Sequence, residues 1–171
     1  LINDLQDTVE LRYYYSELGN FYFKQEQIDS AILCIKESIN LSKILGEHDL
    51  IIGGNVNIGL LYKKKGNYDL ALLYMNGALA EYKKNKNNPT ELGVVYNNLG
   101  SIYAAQKKYK EAEIAFFKSL EYVNSIDAKF VVLENYQNLM DLYEQMKDYK
   151  SQSIYLKKYY QLKDSIYAIH K

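Results

Sequence analysis

Residues Thr90–Tyr122, TELGVVYNNLGSIYAAQKKYKEAEIAFFKSLEY, read as two amphipathic helices joined by a tight turn at Lys107-Lys108. Tyr96, Leu99, Gly100 and Tyr103 step along the first helix, and Tyr109, Ala112 and Phe116 carry the apolar spacing into the second. The order recurs. Around Leu18-Gly19 stand Tyr15, Tyr22, Ala31 and Ile35, and around Ile58-Gly59 stand Tyr62, Tyr68, Ala71, Met75 and Ala78. A decayed copy surrounds Leu139-Met140, with Tyr136, Tyr143, Tyr149 and Leu156. The anchors at 19, 59, 100 and 140 are 40, 41 and 40 residues apart. Self-similarity at such a period marks stacked helical repeats.

The pattern resembles the tetratricopeptide repeat, whose usual unit of about 34 residues is lengthened here. The resemblance implies an all-α fold, a right-handed superhelical solenoid of four helix pairs. It also implies one domain over 1–171, with repeats at about 8–46, 49–87, 89–125 and 128–169. No such pair buries both apolar faces alone, so neighbouring pairs stack on a shared core. Gly19, Gly59 and Gly100 on the first helices, and Ala31, Ala71 and Ala112 on the second, let the helices of a pair approach closely. Met140 and Gln152 replace them in the fourth pair, which is therefore expected to be looser.

Taken in order, the chain predicts a first helix from Leu1 to Gln25, capped at Asn3 or Asp4, with Leu11, Tyr14, Tyr15, Leu18 and Tyr22 as its buried stripe. Ile28, Ala31, Ile32, Ile35 and Ile39 mark the second helix, and Gly46 ends it in the left-handed conformation. The next pair spans Asp49–Lys65 and Tyr68–Lys84 around Gly66-Asn67. Gly53 and Gly54 lie inside its first helix, where each costs about 1 kcal/mol relative to alanine, so a close neighbour is expected there. A polar loop, Asn85 to Asn88, precedes Pro89, which suits a first helical turn. Asn124 to Asp127 lead into a fourth pair at about Ala128–Met146 and Tyr149–Ile169.

Twenty-one basic residues against 21 acidic ones leave no net charge over 171 residues, which argues against a nucleic-acid partner for this segment. Lys63-Lys64-Lys65 and Lys83-Lys84 with Lys86 read as solvated helix ends. The single cysteine, Cys34, forms no internal disulfide and reads as a small buried hydrophobe. No apolar run reaches about 18 residues, so no membrane span is expected in this segment. His48 and His170 have no partners at metal-ligand spacing, Asp141 and Glu144 read as a solvated face, and no nucleophile motif occurs. These features predict no catalysis, no metal and no cofactor. The start at Leu1, without methionine or signal peptide, leads to the expectation of a segment from a longer protein.

In the family resembled, the first helix of each pair lines a concave groove. The residue before each anchor pair is Asn57, Asn98 and Asn138 in repeats two to four, and Glu17 in the first. An amide carries both donor and acceptor, so this ladder could hold the backbone of an extended peptide. The alternative is that each asparagine bonds a neighbouring helix. Other groove positions implied by the resemblance are Asn20, Lys24, Lys63, Asn97, Ser101, Gln137 and Asp141, with Ser16, Phe23, Gly53, Leu60 and Lys64 beside them. The chaperone-binding branch grips a terminal carboxylate with basic residues, but Val94 and Asn98 occupy those positions here. Tyr155, Tyr159, Leu162, Ile166 and Ile169 step by four and three residues to form an assembly seam, to be covered by a further helix or by its own copy in a homodimer. YYQLKDSIY also resembles the close of tetratricopeptide regions in Bacteroidetes-type histidine kinases and transcriptional regulators. The reading is a non-catalytic module for a protein or extended peptide, in the sensory region of a signalling protein, periplasmic with a cytoplasmic alternative. Its rival is a scaffold or dimerisation segment assembling through the last helix.

Overall fold

Four helix pairs form where the period places them. The computed structural model describes residues 2–85, 88–123 and 128–169, with side chains from 5 to 168 within those spans. The Asn3 and Asp4 side chains, positions 86–87 and 124–127, the Ile169 side chain and His170 lie outside the described residues. The chain divides into two compact units, Leu1–Asn87 and Asn88–Lys171. The first contains α1 (Ile2–Lys24), α2 (Ile28–Leu45), α3 (His48–Lys64) and α4 (Tyr68–Lys84). The second contains α5 (Pro89–Ala105), α6 (Tyr109–Tyr122), α7 (Lys129–Gln145) and α8 (Tyr149–Ile169). Because α1 is already under way at Ile2, Asn3 and Asp4 lie within the helix rather than capping it. Gly46 is left-handed at φ 71°, and Pro89 opens α5, as expected.

All four pairs turn in one way. Glu26, Gly66, Lys107 and Lys147 adopt φ of 58°, 74°, 60° and 59° at equivalent places, and only one of them is glycine. In each turn the next residue donates its N–H, at 2.9 Å, to the carbonyl of Tyr22, Tyr62, Tyr103 or Tyr143. The left-handed residue itself donates to Phe23, Lys63, Ala104 or Glu144. This is a Schellman closure. Its two hydrogen bonds, worth about 0.5–1.5 kcal/mol each, offset the roughly 1–2 kcal/mol that a side chain costs in that conformation. Side chains complete two of the turns: Asn67 Oδ1 accepts from the Leu70 N–H, and Asp148 Oδ1 from the Ser151 N–H, both at 3.1 Å.

Ala31, Ala71 and Ala112 are buried where the helices of a pair meet. A Cβ on Gly100 would stand 2.6 Å from the Phe116 ring, so only a bare backbone fits. Gly54 explains one of the two mid-helix glycines, because a Cβ there would come within 2.6 Å of Ile39; at Gly53 nothing lies within 4 Å. In unit one, Ile32 and Ile39 of α2 pack with Ile51, Ile58 and Leu61 of α3. In unit two, Ala112 and Phe116 of α6 pack with Leu139, Leu142 and Tyr143 of α7, and Tyr155 of α8 joins them. The Tyr143 hydroxyl donates to the Glu113 carboxylate, and burial together with that bond pushes the phenol pKa up. The α1 stripe departs from expectation: Tyr14 is 57% exposed and Leu11 is also exposed, since among the described residues no second helix lies over them as α2 lies over α3.

Across unit one, His48 Nδ1 lies 2.6 Å from Glu81 Oε1, and Lys84 Nζ donates to Glu81 Oε2 at 2.8 Å. The hydrogen bond from Lys84, with that of His48, holds the buried Glu81 carboxyl below its ordinary pKa of 4.5 despite opposing desolvation. A depressed carboxyl pKa contributes stability that is fully present above the unfolded value and is lost as pH falls through the folded one. The melting temperature of the wild-type chain is thus expected to drop below about pH 4.5 more steeply than that of Glu81→Gln, as followed by circular dichroism at stepped pH. Gly100→Ala is expected to cost about 1–2 kcal/mol net, overpacking outweighing the gain in helix propensity, read as a lower urea midpoint.

Candidate functional site

In unit one, α1 and α3 both pack on α2, and the space left between them is a cleft of about 270 Å³. Gly19, Asn20 and Phe23 of α1, Ile35 of α2, and Asn57, Leu60, Leu61 and Lys64 of α3 line it. A contiguous recess of about 160 Å³ shares Asn20, Ile35 and Asn57 and extends to Arg12, Ser16, Ser38, Asp49, Leu50, Gly53 and Gly54. Ile35 reaches the cleft because Gly19 opposite it has no side chain: a Cβ there would sit 3.1 Å from Ile35 Cγ1. That apolar floor was not foreseen from the sequence, although the glycine was the signal for it.

The rim is polar. Asn20 Nδ2 donates weakly to Glu17 Oε1 at 3.4 Å, while the exposed amide of Asn57 has no hydrogen-bond partner among the described residues. Lys64 Nζ stands 5.8 Å above the Phe23 ring and 3.5 Å from Glu26 Oε1 at one end. At the other, Arg12 Nε is 3.0 Å from Glu47 Oε2, which also accepts from Ser42 Oγ at 3.1 Å. The arrangement offers an apolar seat flanked by two amides, each able to give and take a hydrogen bond, with a cation beside it.

The asparagines of unit two are placed differently. Asn98, 9% exposed, donates from Nδ2 to the Val94 carbonyl one turn back at 3.0 Å. Asn138 Nδ2 donates to Oδ1 of the buried Asn97 at 3.0 Å, tying α7 to α5. The position matching Asn97 in α1 is Ser16, and among the described residues no hydrogen bond joins it to Asn57, although both line the recess. Gln137 and Asp141 are exposed and bonded to each other at 2.9 Å, Ser101 and Lys63 are half-buried, and Lys24 is exposed outside the cleft lining. Asn135, buried in α7, donates to Ser119 Oγ at 2.7 Å and to the Val131 carbonyl at 3.2 Å. Ser119 in turn donates to the Gly93 carbonyl at 2.6 Å, while Asn135 Oδ1 has no hydrogen-bond partner among the described residues.

Of the seam on α8, Tyr155 stacks on Tyr143 and leans on Tyr136 and Phe117 within unit two. Ile166 is buried, and Tyr159 and Leu162 are half-buried. Cys34 is buried, and burial raises its thiol pKa. Among the described residues no group of three or more His, Cys, Asp or Glu could hold a metal ion, and no helix is long and apolar enough to cross a membrane.

Helix pairs with repeated closures, glycine or alanine at most pair contacts and a cleft between first helices define a helical-repeat protein. The chain is built of tetratricopeptide repeats: models of that repeat match residues 13–44 and 50–125. No curated protein matches the sequence. Among solved structures, BtubC (BKLC) from P. vanneervenii is similar with a TM-score of 0.75 at 17% identity, over 91% of this chain and 64% of that one. PilF of Pseudomonas aeruginosa gives 0.69 at 19% identity, over 91% and 63%. The chain thus spans less than two-thirds of either. The first tetratricopeptide repeat domain of Spaghetti (RPAP3), bound to the HSP90 peptide SRMEEVD, gives 0.53 at 23% identity, over 76% of this chain and 96% of that one. These likenesses show the fold.

The asparagine geometry separates two substitutions at equivalent positions. Asn138→Ala strips the buried Asn97 oxygen of its donor and is expected to cost about 1–3 kcal/mol, whereas Asn57→Ala stays within about 0.5 kcal/mol. Chemical denaturation of both variants measures the difference.

Proposed function

We propose that the α1–α3 cleft of unit one binds an extended segment of a partner protein, seating one apolar side chain on Ile35, Leu60 and Leu61. Asn20 and Asn57 hold the backbone on either side. The observation that carries this reading is the open Asn57 amide beside an apolar cleft of about 270 Å³. Tetratricopeptide repeats are protein-interaction modules, and the RPAP3 domain named above is one in complex with a peptide. A grip on a terminal carboxylate is not part of the proposal, because Val94 and Asn98 stand where that branch of the family places basic residues. The resemblance of YYQLKDSIY to the close of tetratricopeptide regions in histidine kinases and transcriptional regulators supports a sensory or regulatory setting, with the peptide as the signal; this finer reading rests on that stretch alone. Peptides selected from a displayed random library serve as the probe. Asn20→Ala with Asn57→Ala is expected to weaken their binding at least about ten-fold, the loss of two hydrogen bonds of about 1 kcal/mol each, with the melting temperature unchanged. Equal affinity for the folded double variant in titration calorimetry would exclude the cleft as the peptide site.

A further inference from the structure

Of the two mid-helix glycines of α3, one is not accounted for by packing. Gly54 is bare because Ile39 occupies the space, but a Cβ on Gly53 would meet nothing within 4 Å, so the fold gains nothing from its absence. Alanine would make a better helix at that place. What the missing side chain leaves open is the recess of about 160 Å³ beside the cleft, which Gly53 lines. A bare backbone in the wall of a recess lets a ligand come close.

The rest of the lining says what kind of group fits. Ile35 and Leu50 give the recess an apolar side, and Ser16, Ser38 and Asp49 give it oxygens that accept hydrogen bonds. Two of its residues carry charge. Arg12 is matched by Glu47, whose Oε2 lies 3.0 Å from Arg12 Nε. Asp49 is exposed and has no hydrogen bond or ion pair among the described residues, so no cation is matched to it. Glu17, which accepts from Asn20 on the same rim, adds a second negative charge. An apolar wall beside an open carboxylate suits a long side chain with an aliphatic stem and a cationic head. We infer that the recess takes a lysine or arginine side chain of the bound segment, with Asp49 holding its head and Gly53 making room for its stem. The assignment rests on the cleft reading and extends it. Because the two hollows adjoin at Asn20, Ile35 and Asn57, an extended segment presents its apolar residue to one and, two positions away on the same face, its basic residue to the other.

The displayed random library that probes the cleft tests the recess as well. The wild-type chain is expected to select peptides with lysine or arginine two positions from a large apolar residue. For one such synthetic peptide, titration calorimetry should show Asp49→Asn weakening binding about three-fold, the worth of one exposed ion pair. A peptide with glutamine in place of the basic residue should bind Asp49→Asn and wild type alike. Gly53→Ala is expected to raise the melting temperature yet weaken the basic peptide about five-fold by crowding the recess. A peptide with alanine at the basic position should not feel that change. Peptides that lose affinity for the Asn20→Ala, Asn57→Ala double variant but are indifferent to Asp49→Asn and Gly53→Ala overturn the recess assignment and leave the cleft reading standing. So does selection of acidic residues at that position, which would give the recess to Arg12 instead. Peptides indifferent to all four substitutions, or a library that yields no binder, overturn both.

Discussion

The distance between the two helices of a pair rests on a bare backbone meeting a side chain. Gly100 against the Phe116 ring, and Gly59 against Met75, bring helix surfaces together where any Cβ would intrude. With the partner helix so close, the larger apolar residues of the first helix turn toward the neighbouring pair. Ile58 and Leu61 accordingly meet α2, and Leu139 and Leu142 meet α6. The cleft has the same origin. Gly19, bare for packing reasons, leaves Ile35 visible from the groove side, so the contact that joins α1 to α2 also supplies the apolar seat between α1 and α3.

Helix boundaries were legible because local residues dictate them. Gly46, Gly66 and Pro89 act through their own backbones and need no distant partner. Three of the four pair turns carry no such mark. Glu26, Lys107 and Lys147 are left-handed because both closing hydrogen bonds require it, and only the repeat period gave their place away. The α1 stripe shows the opposite limit. Periodicity reveals which face of a helix is apolar, but whether that face is covered depends on a neighbouring helix, and Tyr14 and Phe21 stay more than half exposed.

The asparagines show why a repeated residue need not repeat its role. Asn138 finds the amide of Asn97 on the preceding pair, and Asn98 turns back to its own helix. Asn57 has Ser16 in the place of Asn97, and its amide stays open beside the cleft. Sequence equivalence places these side chains, while the difference between Asn57 and Asn138 comes from residues some 40 positions away, Ser16 for the one and Asn97 for the other.

Repeat proteins are often treated as strings of interchangeable parts whose stabilities add. The buried chain from Asn135 through Ser119 to the Gly93 carbonyl limits that freedom. The position of Ser119 is Ala78 in the second repeat, and that of Asn135 is Gly54. A shuffled chain in which the fourth pair followed the second would set the Asn135 amide against a methyl group. The order of these two pairs is thus enforced by a hydroxyl, much as a keyed joint admits only its own counterpart.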